Sequence, residues 1–155
     1  KTAALVGAGC RIPAILVEAP DSVGISLFDY GFNLGVCFQL IDDILDFTST
    51  TEVLGKPAVS DLKEGKLTLP LILALPRATE SERAMVARVA AERSFGNVDP
   101  AGILSMVQRY GTVDQCRLIA REYAERALGA LRGFPSSTAK EALEFAVEFV
   151  QSRDR

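Results

Sequence analysis

The sequence predicts an all-α helical bundle. Apolar residues recur at helical spacing through most of the chain, helix-start signals stand at five separate places, and neither a period-2 strand pattern nor a repeat of roughly 20 to 50 residues breaks the series. With 155 residues, 48% of them hydrophobic and 24% charged, the chain has the size and balance of one packed globular domain.

The elements follow in order. Residues 2 to 18 carry Ala, Leu, Val and Ile around small Gly7, Ala8 and Gly9, which predicts a helix packed closely on its neighbours. Pro20 and Asp21 interrupt it, and Asp21 or Ser22 is a natural N-cap for a long helix running to about Phe47. Residues 48 to 66 (TSTTEVLGKPAVSDLKEGK) are polar, contain Gly55, Pro57 and Gly65, and read as a loop. A connection of that length is usually functional or disordered.

Further on, TESE at 79 to 82, TVDQ at 112 to 115 and TAKE at 138 to 141 have the capping-box spacing, and Asp99-Pro100 sets a cap before a first-turn proline. Gly96, Gly111 and Gly133 fall where helix stops are wanted. In the last segment Ala142, Phe145, Ala146, Phe149 and Val150 form one apolar stripe, with Glu141, Glu144 and Glu148 turned away. Leu5, Ile12, Leu73, Val89, Ile119 and Phe149 read as ordinary core, as do Tyr30, Tyr110 and Tyr123.

Composition removes several functions. A net charge of -3 with no dense Lys/Arg run argues against nucleic acid as a partner. Cys10, Cys37 and Cys116 have neither disulfide-framework nor zinc spacing, which suits a reducing cytoplasm. The longest uninterrupted apolar run, Leu69 to Pro76, is far short of the roughly 20 residues that cross a bilayer, so no transmembrane segment is expected. The absence of histidine removes the commonest general base. The chain opens at Lys1 inside a helical pattern without an initiator Met, so a piece of a longer polypeptide is expected.

The chemistry concentrates in FQLIDDILDF, residues 38 to 47. On a helical wheel Gln39, Asp42, Asp43 and Asp46 share an arc of roughly 100°. Phe28, Phe32 and Gly35 extend that arc upstream, whereas Leu34, Cys37, Ile41 and Leu45 form a separate core-facing stripe. Acids in the last turn of a helix oppose the macrodipole, so three together ask for compensation. A hard divalent cation supplies it, and oxygen ligands without nitrogen or sulfur suit Mg²⁺; a solvated acidic helix end is the alternative. Without metal, mutual repulsion is expected to raise at least one of the three carboxyl pKa values. Lys56, Lys63 and Lys66 follow in the loop, where cations beside metal-binding carboxylates are what a diphosphate requires, though loop lysines are often only solvated.

FQLIDDILDF followed by LGKPAVSDLKEGKLTLPLILAL resembles the second aspartate-rich motif and trailing loop of the trans-type polyprenyl diphosphate synthases. The opening Lys1-Thr2 is similar to that family's Lys-Thr pair, and REYAERALGALRGFPSSTAKEALEFAVEFVQSR resembles its two closing helices. The resemblance implies an isoprenoid synthase fold, here the C-terminal part of a single domain with residues 48 to 66 as a substrate-covering loop. It also implies transfer of an allylic prenyl chain onto isopentenyl diphosphate, with a long-chain product expected.

Carried over by position, Asp42, with Asp43 and Asp46 directly or through water, would hold Mg²⁺ against the allylic diphosphate. Lys1, Lys56 and Lys66 would contact its oxygens. Thr2 and Gln39 would sit beside the reacting carbons, with Phe38 also at the substrate, and a prenyl tail would lie along Phe28, Phe32 and Gly35. The family's first aspartate-rich motif is not found here, so the chain alone is expected to be inactive. A non-catalytic helical partner subunit is the alternative. An apolar face left for absent helices would favour a homodimer or other self-association.

Overall fold

The structure is a computed structural model that describes residues 1–48 and 59–153. All regular structure among the described residues is helical, as the sequence predicts: α1 (Thr2–Leu16), α2 (Asp21–Thr48), α3 (Ser60–Lys63), α4 (Leu69–Ala74) with a 3₁₀ turn (Leu75–Arg77), α5 (Glu80–Glu92), α6 (Pro100–Arg109), α7 (Thr112–Ala130) and α8 (Thr138–Ser152). They divide into two compact units, Lys1–Ile41 with Leu118–Arg155, and Asp42–Arg117. Helices α2 and α7 contribute residues to both.

In the first unit α1 and α2 run antiparallel on a seam of small residues. A Cβ added to Gly35 would lie 2.7 Å from the Ala3 Cα, and one on Gly31 would lie 2.7 Å from both the Val6 carbonyl oxygen and the Cys10 sulfur. Gly7 faces the Phe28 ring, and Gly24 faces Arg11 and Ala14. The face of α1 turned inward is therefore Ala3, Gly7, Cys10 and Ala14, at i, i+4, i+7 and i+11.

That choice corrects the expectation that Leu5 and Ile12 are core, since they are 75% and 53% exposed. Close backbone approach rewards the side of the helix without bulk, so the large residues are left outside. The prediction of a tightly packed first helix holds, but on the opposite face.

Helix α7 offers another small-residue stripe, with Ala120, Ala124 and Ala127 buried and Leu131 just beyond its end. Tyr30, 1% exposed, donates its hydroxyl to the Leu143 carbonyl of α8 at 2.9 Å. α8 is capped by Ser137, whose hydroxyl accepts the Lys140 N–H, one residue before the expected cap Thr138. Its buried residues are Val147 and Val150, while Phe145 and Phe149 are 63% and 57% exposed with ring centroids 6.4 Å apart. Of the predicted stripe only Val150 is buried and Ala146 half-buried, while Ala142, Phe145 and Phe149 are exposed; the buried side runs through Val147 instead.

The second unit has its own core, in which Leu62, Leu71, Val86, Val89, Ile103 and Met106 are essentially sealed from solvent. The starts of α5 and α6 are those the sequence signals. Thr79 and Glu82 form the reciprocal capping box, and Asp99 caps Pro100 at the head of α6. Gly111 takes the left-handed φ of 61° after α6, whereas α5 stops at Arg93 (φ 48°) rather than at Gly96. Thr112 heads α7, but its buried hydroxyl donates back to the Val107 carbonyl at 3.4 Å.

Helix α2 is long and apolar enough, by length and composition, to meet the test for crossing a membrane. Counting uninterrupted apolar residues missed this because its apolar character is spread between single polar positions. The helix buries Tyr30, Gly31 and Cys37 within the first unit and Ile44 within the second.

Candidate functional site

The acidic end of α2 lies in the second unit. Ile44 (0% exposed) and Leu45 (9%) are buried, Phe47 packs against that core, and helical geometry then spreads the three acids over different environments. Asp42 is exposed and Asp43 half-buried, but Asp46 is only 7% exposed. The expectation of one acidic surface is corrected on that point.

What faces Asp46 is the segment that follows the loop. Its Oδ1 accepts the Ser60 N–H at 3.0 Å and the Ser60 hydroxyl at 2.9 Å, and its Oδ2 accepts the Asp61 N–H at 3.2 Å. Its main-chain carbonyl takes the Val59 N–H at 2.9 Å. Asp46 therefore caps α3, whose own cap residue, Val59, offers no side-chain acceptor. Residues 60–63, read from sequence as loop, are helical because this remote carboxylate satisfies their first N–H groups.

Val59 is fully buried and has a φ of 61°, a genuine outlier for a β-branched residue. Its strain is held in place by the Asp46 carbonyl on one side and the core on the other.

Burial is the main cause that pushes the Asp46 carboxyl pKa upward, with the Asp61 charge adding to it and the Ser60 and Asp61 donors opposing it. The expected direction is found for one of the three acids, yet its origin is desolvation rather than repulsion within the trio. Asp43 lies near Cys116, whose thiol is pushed up to about 11 by burial and then by the Asp43 charge.

The same segment brings in a cation. Lys66 Nζ lies 2.6 Å from Glu64 Oε2 and 3.3 Å from Asp61 Oδ1, and hydrogen bonds to these two raise its pKa, Glu64 contributing most. Asp61 thus faces both ways, giving its N–H to Asp46 and its carboxylate to Lys66. Lys63 is exposed. Lys56 lies outside the described residues.

In the first unit the Thr2 hydroxyl donates to Gln39 Oε1 at 3.2 Å. Lys1 is exposed, and its carbonyl accepts the Leu5 N–H at 3.1 Å. The Phe38 ring lies under the Arg153 guanidinium, 4.9 Å from its carbon, a cation–π pair that sequence reasoning missed for want of any spacing rule linking them. Along the expected tail track Gly35 meets Ala3 and the Phe28 ring meets Gly7, so α1 covers those two, whereas Phe32 is 37% exposed. Phe32 is stacked on Phe28 at 6.0 Å.

No three His, Cys, Asp or Glu residues among the described ones are gathered to hold a metal ion. The donor chemistry nonetheless fits a hard divalent cation, which needs only one or two carboxylates beside water and phosphate oxygens. Asp42 is exposed and Asp43 half-buried, so these two are open to such an ion, whereas Asp46 is committed to the head of α3.

Comparison with known proteins supplies the context. The polyprenyl synthetase family profile matches residues 1–101. A prenyl transferase of Cyanophora paradoxa is 37% identical over 153 residues, which are 99% of this chain and 46% of that protein. Two solved structures are similar: a decaprenyl diphosphate synthase from Rhodobacter capsulatus (TM-score 0.84, 34% identity, 100% of this chain and 47% of that one) and a polyprenyl synthase from Caulobacter crescentus CB15. The latter was complexed with calcium and isoprenyl diphosphate (TM-score 0.83, 36% identity, 97% and 46%). The chain thus spans about half the length of the proteins it matches.

Proposed function

Because this chain belongs to the polyprenyl synthetase family, we propose that it contributes the allylic-diphosphate-binding part of a prenyltransferase that condenses an allylic prenyl diphosphate with isopentenyl diphosphate. Similarity to a decaprenyl synthase supports a long-chain product. The observation that carries the reading is the connection running from Asp46 through Ser60 and Asp61 to Lys66. An acidic helix end and an ammonium group held by one short segment offer both charges that a metal-diphosphate needs.

In this reading Asp42 would hold Mg²⁺, with Asp43 and Asp46 taking part directly or through water. The bound ion would neutralise the charge growing on the departing diphosphate. Lys66, and with it Lys1 and Lys56, donates to the diphosphate oxygens; for Lys66 this means exchanging Glu64 and Asp61 for the ligand. The Thr2 hydroxyl is turned toward Gln39, which leaves its oxygen lone pairs to face a developing allylic cation and to take up the proton lost on condensation. Phe38 adds an apolar wall that keeps water from that cation. A cytoplasmic setting and self-association belong to the same proposal.

The test is titration of the full-length protein with a non-ionising allylic diphosphate analogue by calorimetry. Binding is expected only with Mg²⁺ present; no binding with it overturns the reading. A second reading, a non-catalytic helical partner subunit, draws on the exposed apolar side of α1, where Leu5 and Leu16 are 75% and 76% exposed. It predicts no Mg²⁺-dependent binding in the same titration.

A further inference from the structure

We propose that the second unit binds an anionic amphiphile, a single apolar chain bearing one carboxylate or phosphate, in the cleft between α6 and α7. Neither Asp42, Asp43 and Asp46 nor Lys66 lines this cleft, and it needs no metal ion.

Two helix faces and a helix end enclose it. On α6, Leu104, Val107 and Gln108 stand at i, i+3 and i+4, and on α7 Val113, Asp114 and Arg117 fall within about one turn, so each helix turns one face to the same space. Gly111, left-handed between the two helices, adds no side chain, and Phe47 and Thr48 at the end of α2 complete the wall. The cavity measures about 450 Å³, inside the range of roughly 300–1,000 Å³ that small-molecule sites occupy.

Its lining sets the ligand class. Val107 is 1% exposed, and Phe47, Leu104 and Val113 pack against the core of the unit, which gives a hydrocarbon chain a surface to cover. The fixed positive charge is Arg117, whose Nη1 lies 2.9 Å from Asp114 Oδ1. That pair is unequal: the Arg117 side chain is 32% exposed and the Asp114 side chain 79%. An ion pair whose acid stands in water contributes little. An oxyanion carried in on an apolar chain can therefore take the place of Asp114 on a guanidinium that stays charged at any working pH. A neutral amphiphile would leave the guanidinium unused, and an oxyanion without a chain would leave the apolar wall wet.

Decanoate, decyl phosphate and decanol, each below the concentration at which it aggregates, are titrated by calorimetry into the full-length protein without Mg²⁺. At least one anion is expected to bind, the tighter of the two naming the head group, and decanol to bind roughly tenfold more weakly or less. Arg117→Gln should weaken the anion roughly tenfold or more. Asp114→Asn, at an exposed position, should tighten it roughly two- to fivefold by removing the competing carboxylate. Leu104→Trp, which fills the cleft, should abolish binding. The proposal is overturned if neither anion binds, if decanol binds as well as they do, or if Arg117→Gln or Leu104→Trp leaves the affinity unchanged. Displacement of the bound anion by the allylic diphosphate analogue with Mg²⁺ overturns it too, by placing that anion in the diphosphate site. Should Arg117→Gln and Leu104→Trp not fold, Asp114→Asn decides alone, and unchanged or weaker binding there sinks the idea. Because the titrations omit Mg²⁺, their failure is distinct from failure of the proposed function.

Discussion

The hydroxyl and the backbone N–H of Ser60 converge on one oxygen of Asp46, at 2.9 and 3.0 Å. An acid that a helical wheel places among ligands is thereby also a structural cap for a helix fourteen residues away.

Asp46→Ala should leave two N–H groups at the head of α3 without their acceptor. A stability loss of about 1–2 kcal/mol in urea is expected, in line with other lost caps. Hydrogen exchange should show the Ser60 and Asp61 amides losing protection first. If those amides exchange at the parent rate, Asp46 is not the cap.

Asp42→Ala should separate ligand binding from folding. Asp42 is exposed, and the macrodipole disfavours its charge at this end of the helix, so stability at neutral pH should stay the same or rise. Binding of the diphosphate analogue in Mg²⁺ should weaken by roughly tenfold or more, the scale of one lost charged contact. Equal affinity in the two proteins would remove Asp42 from the site.

Gly35→Ala puts a methyl group 2.7 Å from the Ala3 Cα, a backbone atom that cannot step aside alone. Overpacking of that kind costs roughly 1–3 kcal/mol. Gly129→Ala, where an added Cβ meets nothing within 4 Å, should instead gain roughly 0.5–1 kcal/mol, the ordinary preference for Ala in a helix. Matched urea curves for the two variants check both signs.

Glu82 governs part of the acid response. Its pKa is held down, first by the Thr79 N–H and further by the Tyr110 and Thr79 hydroxyls and the Arg109 charge. A carboxylate with a lowered folded pKa stabilises above its unfolded value, near 4.3, and loses that contribution as pH falls through the folded value. Glu82→Gln should therefore differ most from the parent at pH near 7 and converge with it only as pH falls through the lowered folded value. A gap in urea midpoint that persists at low pH would point to geometry rather than charge.

The helical class and most helix starts were legible because they depend on neighbours in sequence. Thr79 finds Glu82 three residues on, and Asp99 stands against Pro100, so local chemistry decides both. What the sequence hid depends on partners distant along the chain. Leu5 and Ile12 look like core until Gly31 and Gly35 show that the small side of α1 is the one in contact. Asp46 looks like its two companions until Ser60 arrives from beyond the loop, and residues 60–63 look like loop until Asp46 caps them. Phe149 matches a helical stripe as well as Val150 does, and only the packing of the helix separates them.

The bonds from Val59 and Ser60 to Asp46 also impose an order on assembly. Neither acceptor is in place until the last turn of α2 has formed, and the left-handed Val59 gains nothing until its side chain has a core to enter. Residues 59 to 66 should consequently dock late, after the folding barrier has been crossed. Substitutions there would then register in the rate of unfolding and scarcely in the rate of folding. The segment that carries Lys66 becomes the last part of the chain to be finished and the first to let go.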